Sequence, residues 1–293
     1  MIEIKTGQEY DGTLKFLGRG SMFNVKEGNT SAFWKDPSDN KTMILIDCGG
    51  TVFQKIMEYN LLDGVKNLYV IITHTHTDHI GSLSDLLFYC RYAMKDIKVE
   101  VIASVMNMQL IRNFLNVTGF NCKFDTARFN LQAVVGWYNV YRSESCSLYG
   151  KHVCSDNDEV IDEHDMVFTI KLITDTSHQV NVGNRLLGKY YNTGIYLYLS
   201  ESNKRIYYSG DTCMIPYDDI PYIDDIIDEI YVDCAVRNGT PTENVYPHYN
   251  LYNMVRDMKE NRISKKKVYA MHLDCDGVID ECRNFGVKIV EVI

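Results

Sequence analysis

The chain has 293 residues, 45% of them hydrophobic and 24% charged, with a net charge of −9. It is long enough to bury a substantial core, and its acidic balance argues against broad binding of long nucleic acid, which needs a basic surface. Cysteines without C-x-x-C pairs, a Met1–Lys5 start unlike a signal peptide and no apolar run of bilayer length set the expectation of a cytoplasmic protein off the membrane.

Residues 1–50 alternate short apolar runs with turn residues. Thr13–Leu17 precedes Gly18-Arg19-Gly20-Ser21, Asn29–Trp34 follows, and Met43–Ile46 runs into Asp47-Cys48-Gly49-Gly50. This pattern predicts a β-meander punctuated by glycine. Helical spacing from Phe53 to Leu62 leads to Leu68–Ile72, a short apolar run that reads as a buried strand.

Directly after that strand stands His74-Thr75-His76-Thr77-Asp78-His79, ahead of a helix predicted from near Gly81-Ser82-Leu83 to Cys90. Three of the eight histidines in the whole chain fall within these six residues, too dense a grouping to be a composition effect. His74 and His76 are two apart, so on extended backbone they project to one side. Asp78 and His79 follow where the chain turns toward the helix. Neutral imidazoles with a carboxylate suit Zn²⁺ and, less selectively, Mn²⁺ or Fe²⁺. Val99–Ala103 is the next predicted strand, and the alternation of strands and helices points to a layered α/β architecture.

From residue 115 to about 160 the periodicity is weak, and the segment reads as an insertion or an elaborated edge. Strand patterns resume at Met166–Ile173, followed by His178. Gly194–Leu199 and Arg205–Ser209 form a predicted hairpin that ends in Gly210-Asp211-Thr212. Ile226–Val232 ends in Asp233-Cys234, a helix spans Leu251–Lys259, and Lys267–Met271 ends in His272. The basic run Lys265-Lys266-Lys267 reads as a solvated turn. No linker divides the chain and no repeat stands out, so one domain over 1–293 is expected.

Ligand-type residues therefore recur at strand ends: His74 and its neighbours, His178, Asp211, Asp233 and His272. Together they make two sets: His74, His76 and His178 for one ion, and Asp78, His79 and His272 for another. Asp211 can serve both, since a carboxylate has two oxygens. Two divalent ions about 3.5–4 Å apart polarise an electrophile and generate hydroxide near neutral pH.

These residues resemble the signature of the metallo-β-lactamase superfamily. The motif His74-x-His76-x-Asp78-His79 is similar to its metal-binding loop, and Ser209-Gly210-Asp211-Thr212 is similar to its bridging-aspartate element. The resemblance implies a four-layer αββα sandwich, with two divalent ions, Zn²⁺ first, at one edge of paired sheets. It also implies that Asp47, ending an early strand, supports a ligand from behind; Asp233 is placed in the same role. Leu17–Ser21 with Asn29-Thr30-Ser31, and Ile80-Gly81-Ser82-Leu83, are similar to the ribonuclease Z and phosphodiesterase branch. A cysteine would replace Asp211 in class B β-lactamases, and a glutamate would replace His76 in flavodiiron proteins.

Two departures narrow the expectation. No Gly/Pro-rich arm for gripping tRNA is present, and Val232-Asp233-Cys234-Ala235 stands where the tRNA-processing enzymes carry His-Glu-Ala-Thr. His248, in Tyr246-Pro247-His248-Tyr249, resembles a later histidine element of that branch. The expected activity is a phosphodiesterase for a nucleotide, cyclic nucleotide or short nucleic acid. A metal-bridging hydroxide would attack phosphorus, and Asp78 or His248 would handle the proton. Tyr138, Tyr141, Tyr149, Tyr190 and Tyr191 are candidates for a base-stacking face. The rivals are a thioester or lactone hydrolase of the glyoxalase II type, with the same ligand set, a persulfide dioxygenase with one iron, and a degenerate sandwich that only binds. A homodimer is the habit of the family.

Overall fold

The computed structural model describes residues 3–4, 8–121, 125–142, 148–153, 165–175, 179–182, 185–189, 191–213, 215, 226–236, 248–264 and 267–293. Two short strands, β1 (Glu3–Ile4) and β2 (Gln8–Glu9), pair at the start. A six-stranded sheet follows, in the order β3 (Lys15–Gly18), β4 (Ser31–Lys35), β5 (Thr42–Ile46), β6 (Asn67–Ile71), β7 (Lys98–Ser104) and β8 (Phe129–Val134). Its first three strands are antiparallel, matching the expected meander, and the pairs from β5 to β8 are parallel.

Parallel pairing requires crossovers, and helices supply them. α1 (Val52–Glu58) joins β5 to β6; α2 (Thr77–Ile80) and α3 (Leu83–Tyr92) join β6 to β7; α4 (Val105–Val117) joins β7 to β8. α1 is shorter than the predicted 53–62, because Asn60 turns the chain out of the helix at φ +50°. α2 begins inside the histidine motif rather than after it, so Asp78 and His79 are themselves helical.

The second sheet has eight strands, two of them reaching back before β11 (Met166–Asp175). β9 (Trp137–Arg142) pairs with β11, and β10 (Leu148–Val153) lies outside it at the edge. The weakly periodic stretch after residue 115 thus contains β8, β9 and β10, one strand of the first sheet and two of the second. Its alternation is hidden because the central residues of β9, Tyr138 to Tyr141, are all buried. A small hairpin, β12 (Gln179–Val182) with β13 (Arg185–Lys189), precedes β14 (Asn192–Leu199). From β14 the order continues through β15 (Lys204–Tyr208), β16 (Glu229–Asp233), β17 (Val268–Met271) and β18 (Lys288–Ile289), with α5 (Leu251–Lys259) and α6 (Asp276–Phe285) as crossovers. β15 to β18 are parallel.

Burial parity assigns the layers. On β5, Ile44 and Ile46 face the second sheet and pack with Phe168, Ile170, Leu197 and Tyr208, while Met43 and Leu45 face α1, α3 and α4. Ile230, Val232, Val268 and Ala270 pack under α5 and α6. A strand covered on both faces reads as a continuous apolar run, which is why Thr42–Ile46 has no polar side. The result is helices, sheet, sheet, helices: the αββα order. At about 1.5–3 kcal/mol for each fully buried large apolar side chain, these three clusters supply the main drive for folding.

Candidate metal centre

The parallel strands of both sheets end at one rim. Asp47 follows β5, His74 follows β6, Asp211 follows β15, Asp233 is the last residue of β16, and His272 follows β17. Candidate functional residues gather where strands end because the chain there is free to turn while the sheet holds its origin fixed. Three of these turns use left-handed backbone: Asp47 at φ +61°, Gly210 at +59° and His272 at +54°. Non-glycine residues rarely occupy that region, and it is held here by the buried contacts of the side chains.

Asp47 is fully buried. Its carboxylate accepts from the Thr73 amide at 2.8 Å, from the Thr73 hydroxyl, and lies 2.8 Å from His79 Nδ1. This turns His79 Nε2 toward the rim, 3.2 Å from Asp211 Oδ1 and 3.5 Å from Asp78 Oδ2. Asp233 acts likewise from the other sheet. It lies 3.2 Å from His272 Nδ1 and directs His272 Nε2 to within 3.2 Å of both Asp78 Oδ2 and Asp211 Oδ1. On the other side of Asp211, His74 Nε2 lies 3.5 Å from Oδ2 and 2.9 Å from His76 Nδ1. The two oxygens of Asp211 therefore face two different groups of histidines.

Asp211 is 2% exposed, His79 1% and His272 2%, so the donor atoms are withdrawn from bulk water. Burial opposes the charge of Asp211, but His272, His79 and His74 outweigh it and hold the carboxyl well below its ordinary range. Burial likewise opposes protonation of His79 and His272, and the surrounding carboxylates override it, raising both well above an ordinary histidine. Without an ion the cluster thus needs protons to balance its acids. Asp78 Oδ1, His79 Nε2 and Asp211 Oδ1 are buried with no hydrogen-bond partner among the described residues. His79 Nε2 and Asp211 Oδ1 face each other as an ion pair, yet buried atoms left without a well-directed hydrogen bond are costly unless something else satisfies them. The grouping of Asp78, His79, Asp211 and His272, and that of His74, His76 and Asp211, each bring one donor atom per residue within 4.8 Å of the others. Nitrogen and carboxylate donors in such groups fit Zn²⁺, Mn²⁺ or Fe²⁺. His178 lies outside the described residues.

His248 sits above this layer. Its ring stacks on His272 with centroids 5.0 Å apart, and its Nδ1 is 2.8 Å from Asp233 Oδ2 and 3.9 Å from Asp211 Oδ2. Its side chain keeps 16% exposure, so it can meet a molecule arriving at the rim. Burial opposes its charge, and Asp233 raises its pKa above the ordinary histidine value. The tyrosines offer less than expected: Tyr138 and Tyr141 are buried, with the Tyr138 hydroxyl on Glu100, so neither presents a face to a base. Tyr190 and the side chain of Tyr149 lie outside the described residues.

Sequence reasoning passed over Thr73, Asn107 and Asn192. Thr73 is marked only by preceding the motif, and no local pattern marks the two asparagines. Asn107 donates to the Thr73 carbonyl at 2.8 Å, and Asn192 accepts from the Asp211 amide at 3.0 Å.

Comparison with known proteins agrees with the fold. The profile described as "Anti-Pycsar protein Apyc1" matches residues 12–284. The Apyc1 protein of Bacillus phage vB_BveM-Goe7 is 24% identical over 263 residues, covering 88% of each chain. Among solved structures, the metallo-β-lactamase fold protein YhfI of Bacillus subtilis superposes with a TM-score of 0.59 at 16% identity, covering 96% of this chain and 94% of that one. The short form of human tRNase Z gives 0.61 at 16% identity and 95% coverage of each. Yeast PDE1 gives 0.60 at 12% identity, with 95% of this chain and 96% of that one covered.

Proposed function

The chain belongs to the anti-Pycsar protein Apyc1 family, and from that premise we propose that it is a metal-dependent phosphodiesterase that hydrolyses a cyclic nucleotide at a two-ion site. The observation that carries this reading is Asp211, whose two oxygens address His74 on one side and His79 with His272 on the other. The names of the relatives and the likeness of the fold to tRNase Z and yeast PDE1 support phosphodiester chemistry.

In this reading His74, His76 and His178 would hold one ion, Asp78, His79 and His272 would hold the other, and Asp211 would serve both. Bound divalent ions supply Lewis acidity at phosphoryl oxygens and lower the pKa of water toward neutrality. The protein's own share is positional. Asp47 and Asp233 fix which nitrogen of His79 and of His272 faces the rim, and so orient the ligands before substrate arrives. Asp78 faces His79 and His272 and belongs with the ligands. His248, held by Asp233 and partly exposed, is the group placed to give a proton to the departing ribose oxygen. Burial of the ligand atoms keeps water out and strengthens every charge interaction at the site.

The test is turnover of cyclic nucleotides and of bis(p-nitrophenyl) phosphate by metal-reconstituted protein, beside a thioester substrate and an Asp211→Ala control. Phosphodiester turnover that disappears in the variant is expected. Thioester turnover without phosphodiester turnover would favour the glyoxalase II type of reaction and sink the proposal.

A further inference from the structure

We propose that Asn107 and Asn192 form a clamp across the two sheets that sets the separation of the two ligand groups; this rests on the two-ion reading above. Asn192 opens β14 and is fully buried. Its Oδ1 accepts from the Asp211 amide at 3.0 Å and its Nδ2 donates to the Ser209 carbonyl at 2.8 Å, so one side chain spans the turn that presents Asp211. A Cβ on Gly210 would overlap that Oδ1, so the fit admits no side chain at the turn.

Asn107 comes from the first turn of α4 and is 1% exposed. Its Nδ2 donates to the Thr73 carbonyl at 2.8 Å, to the Tyr191 carbonyl at 2.8 Å and to Thr193 Oγ1 at 3.3 Å. Thr73 leads directly into His74, and Tyr191 and Thr193 flank Asn192. The contacts form an unbroken path: Asp47, Thr73, Asn107, the 191–193 backbone, Asn192, Asp211. Much of the contact between the sheets is made by apolar side chains, whose attraction is non-directional, with polar cross-links such as Tyr138 to Glu100 and Arg142 to Asp36. Hydrogen bonds are directional, and these join the residue leading into His74 to the turn that presents Asp211. The two asparagines are positioning residues that act through the ligands they hold.

Cobalt(II) is the probe, because its visible absorption reports ligand geometry and its binding can be counted by equilibrium dialysis without substrate. Unmutated protein is expected to bind two equivalents. Asn192→Ala and Asn107→Ala are expected to weaken at least one equivalent about 10–100-fold, the usual effect of removing a group that supports a ligand, and to change the absorption bands. The melting temperature of the metal-free protein should fall no further than in Asn139→Ala, another buried asparagine, bonded instead to Tyr141 and Thr169. Unchanged cobalt binding overturns the clamp, as does an equal loss of binding in Asn139→Ala. If Asn192→Ala does not fold, Asn107→Ala carries the test, since it leaves the Asp211 amide paired; failure of both to fold assigns the asparagines to stability alone and overturns the proposal. Fewer than two equivalents in the unmutated chain would remove the two-ion reading itself, and the clamp with it, before any variant is compared.

Discussion

His248 is where single-residue chemistry is most exposed to test. A ribose oxygen leaves poorly unless it is protonated, whereas p-nitrophenolate leaves without help. His248→Ala is therefore expected to slow cyclic nucleotide turnover about 10²–10⁴-fold and bis(p-nitrophenyl) phosphate turnover far less; equal losses on both substrates would remove the proton-donor role. Two glycines separate backbone strain from steric clash. Gly64 has φ +74° with open space where a Cβ would stand, while Gly210 has φ +59° and Asn192 Oδ1 in the way. Gly64→Ala should cost about 1 kcal/mol, the conformational penalty alone, and Gly210→Ala distinctly more, both read by urea unfolding of metal-free protein. Lys35, 3% exposed, has its pKa lowered to about 8 by burial, with Asp63 offsetting part of the effect. Below about 8 the buried ammonium is charged and its penalty is fully present. Between about 8 and 10.5 the folded chain has released a proton that the unfolded chain keeps, so stability rises with pH. At 1.36 kcal/mol per pKa unit the ceiling is about 3 kcal/mol. Lys35→Met should thus stabilise at pH ~7, and its advantage over the unmutated protein should fade as the pH passes through this window.

At the scale of elements, two helix starts lie close to residues of the site and of the proposed clamp. Ser104 caps α4 by accepting from the Asn107 amide at 3.4 Å, and Asn250 caps α5 by accepting from the Tyr252 amide at 2.8 Å. Ser104→Ala and Asn250→Ala are each expected to cost about 1 kcal/mol in urea unfolding. The first disturbs the start of the helix that bears Asn107, and the second disturbs the chain two residues beyond His248. Strand ends are secured in a comparable way. The Asp47 amide donates to Ile71, the Ser209 amide to Tyr231 and the Cys234 amide to Met271, so sheet bonding persists up to the residues that turn toward the rim.

For the whole molecule, the site joins what the fold keeps apart. Asp47, His74 and His79 belong to the six-stranded side, and Asp211, Asp233 and His272 to the eight-stranded side. Ions bound between them would tie the sheets together, and binding to the folded state alone stabilises it by about 4 kcal/mol at a thousandfold excess over Kd. Chelation is expected to lower the calorimetric melting temperature, and Zn²⁺ to restore it; a melting temperature indifferent to chelator would mean that the cluster holds no ion. Phe168, fully buried between the sheets, tests the apolar part of the same joint: Phe168→Ala should cost about 3–5 kcal/mol.

The sequence by itself determined the alternation of strands and helices, the histidine motif, and the presence of acids and histidines just past apolar runs. Those features are local: hydrophobic period and residue spacing act within one element, so His74, His76, Asp78 and His79 could be read without knowing any neighbour. Tertiary structure alone decided that β9 and β10 join the second sheet, since burial of consecutive β9 residues erases the alternation that would mark them. It alone decided which histidine Asp47 and Asp233 support, across separations of 32 and 39 residues. It also selected Asn107 and Asn192 from among the chain's other asparagines. Asn107 meets its partners 34 and 84 residues away, and a hydrogen bond over such a distance exists only once two sheets have packed and brought their ends to the same rim.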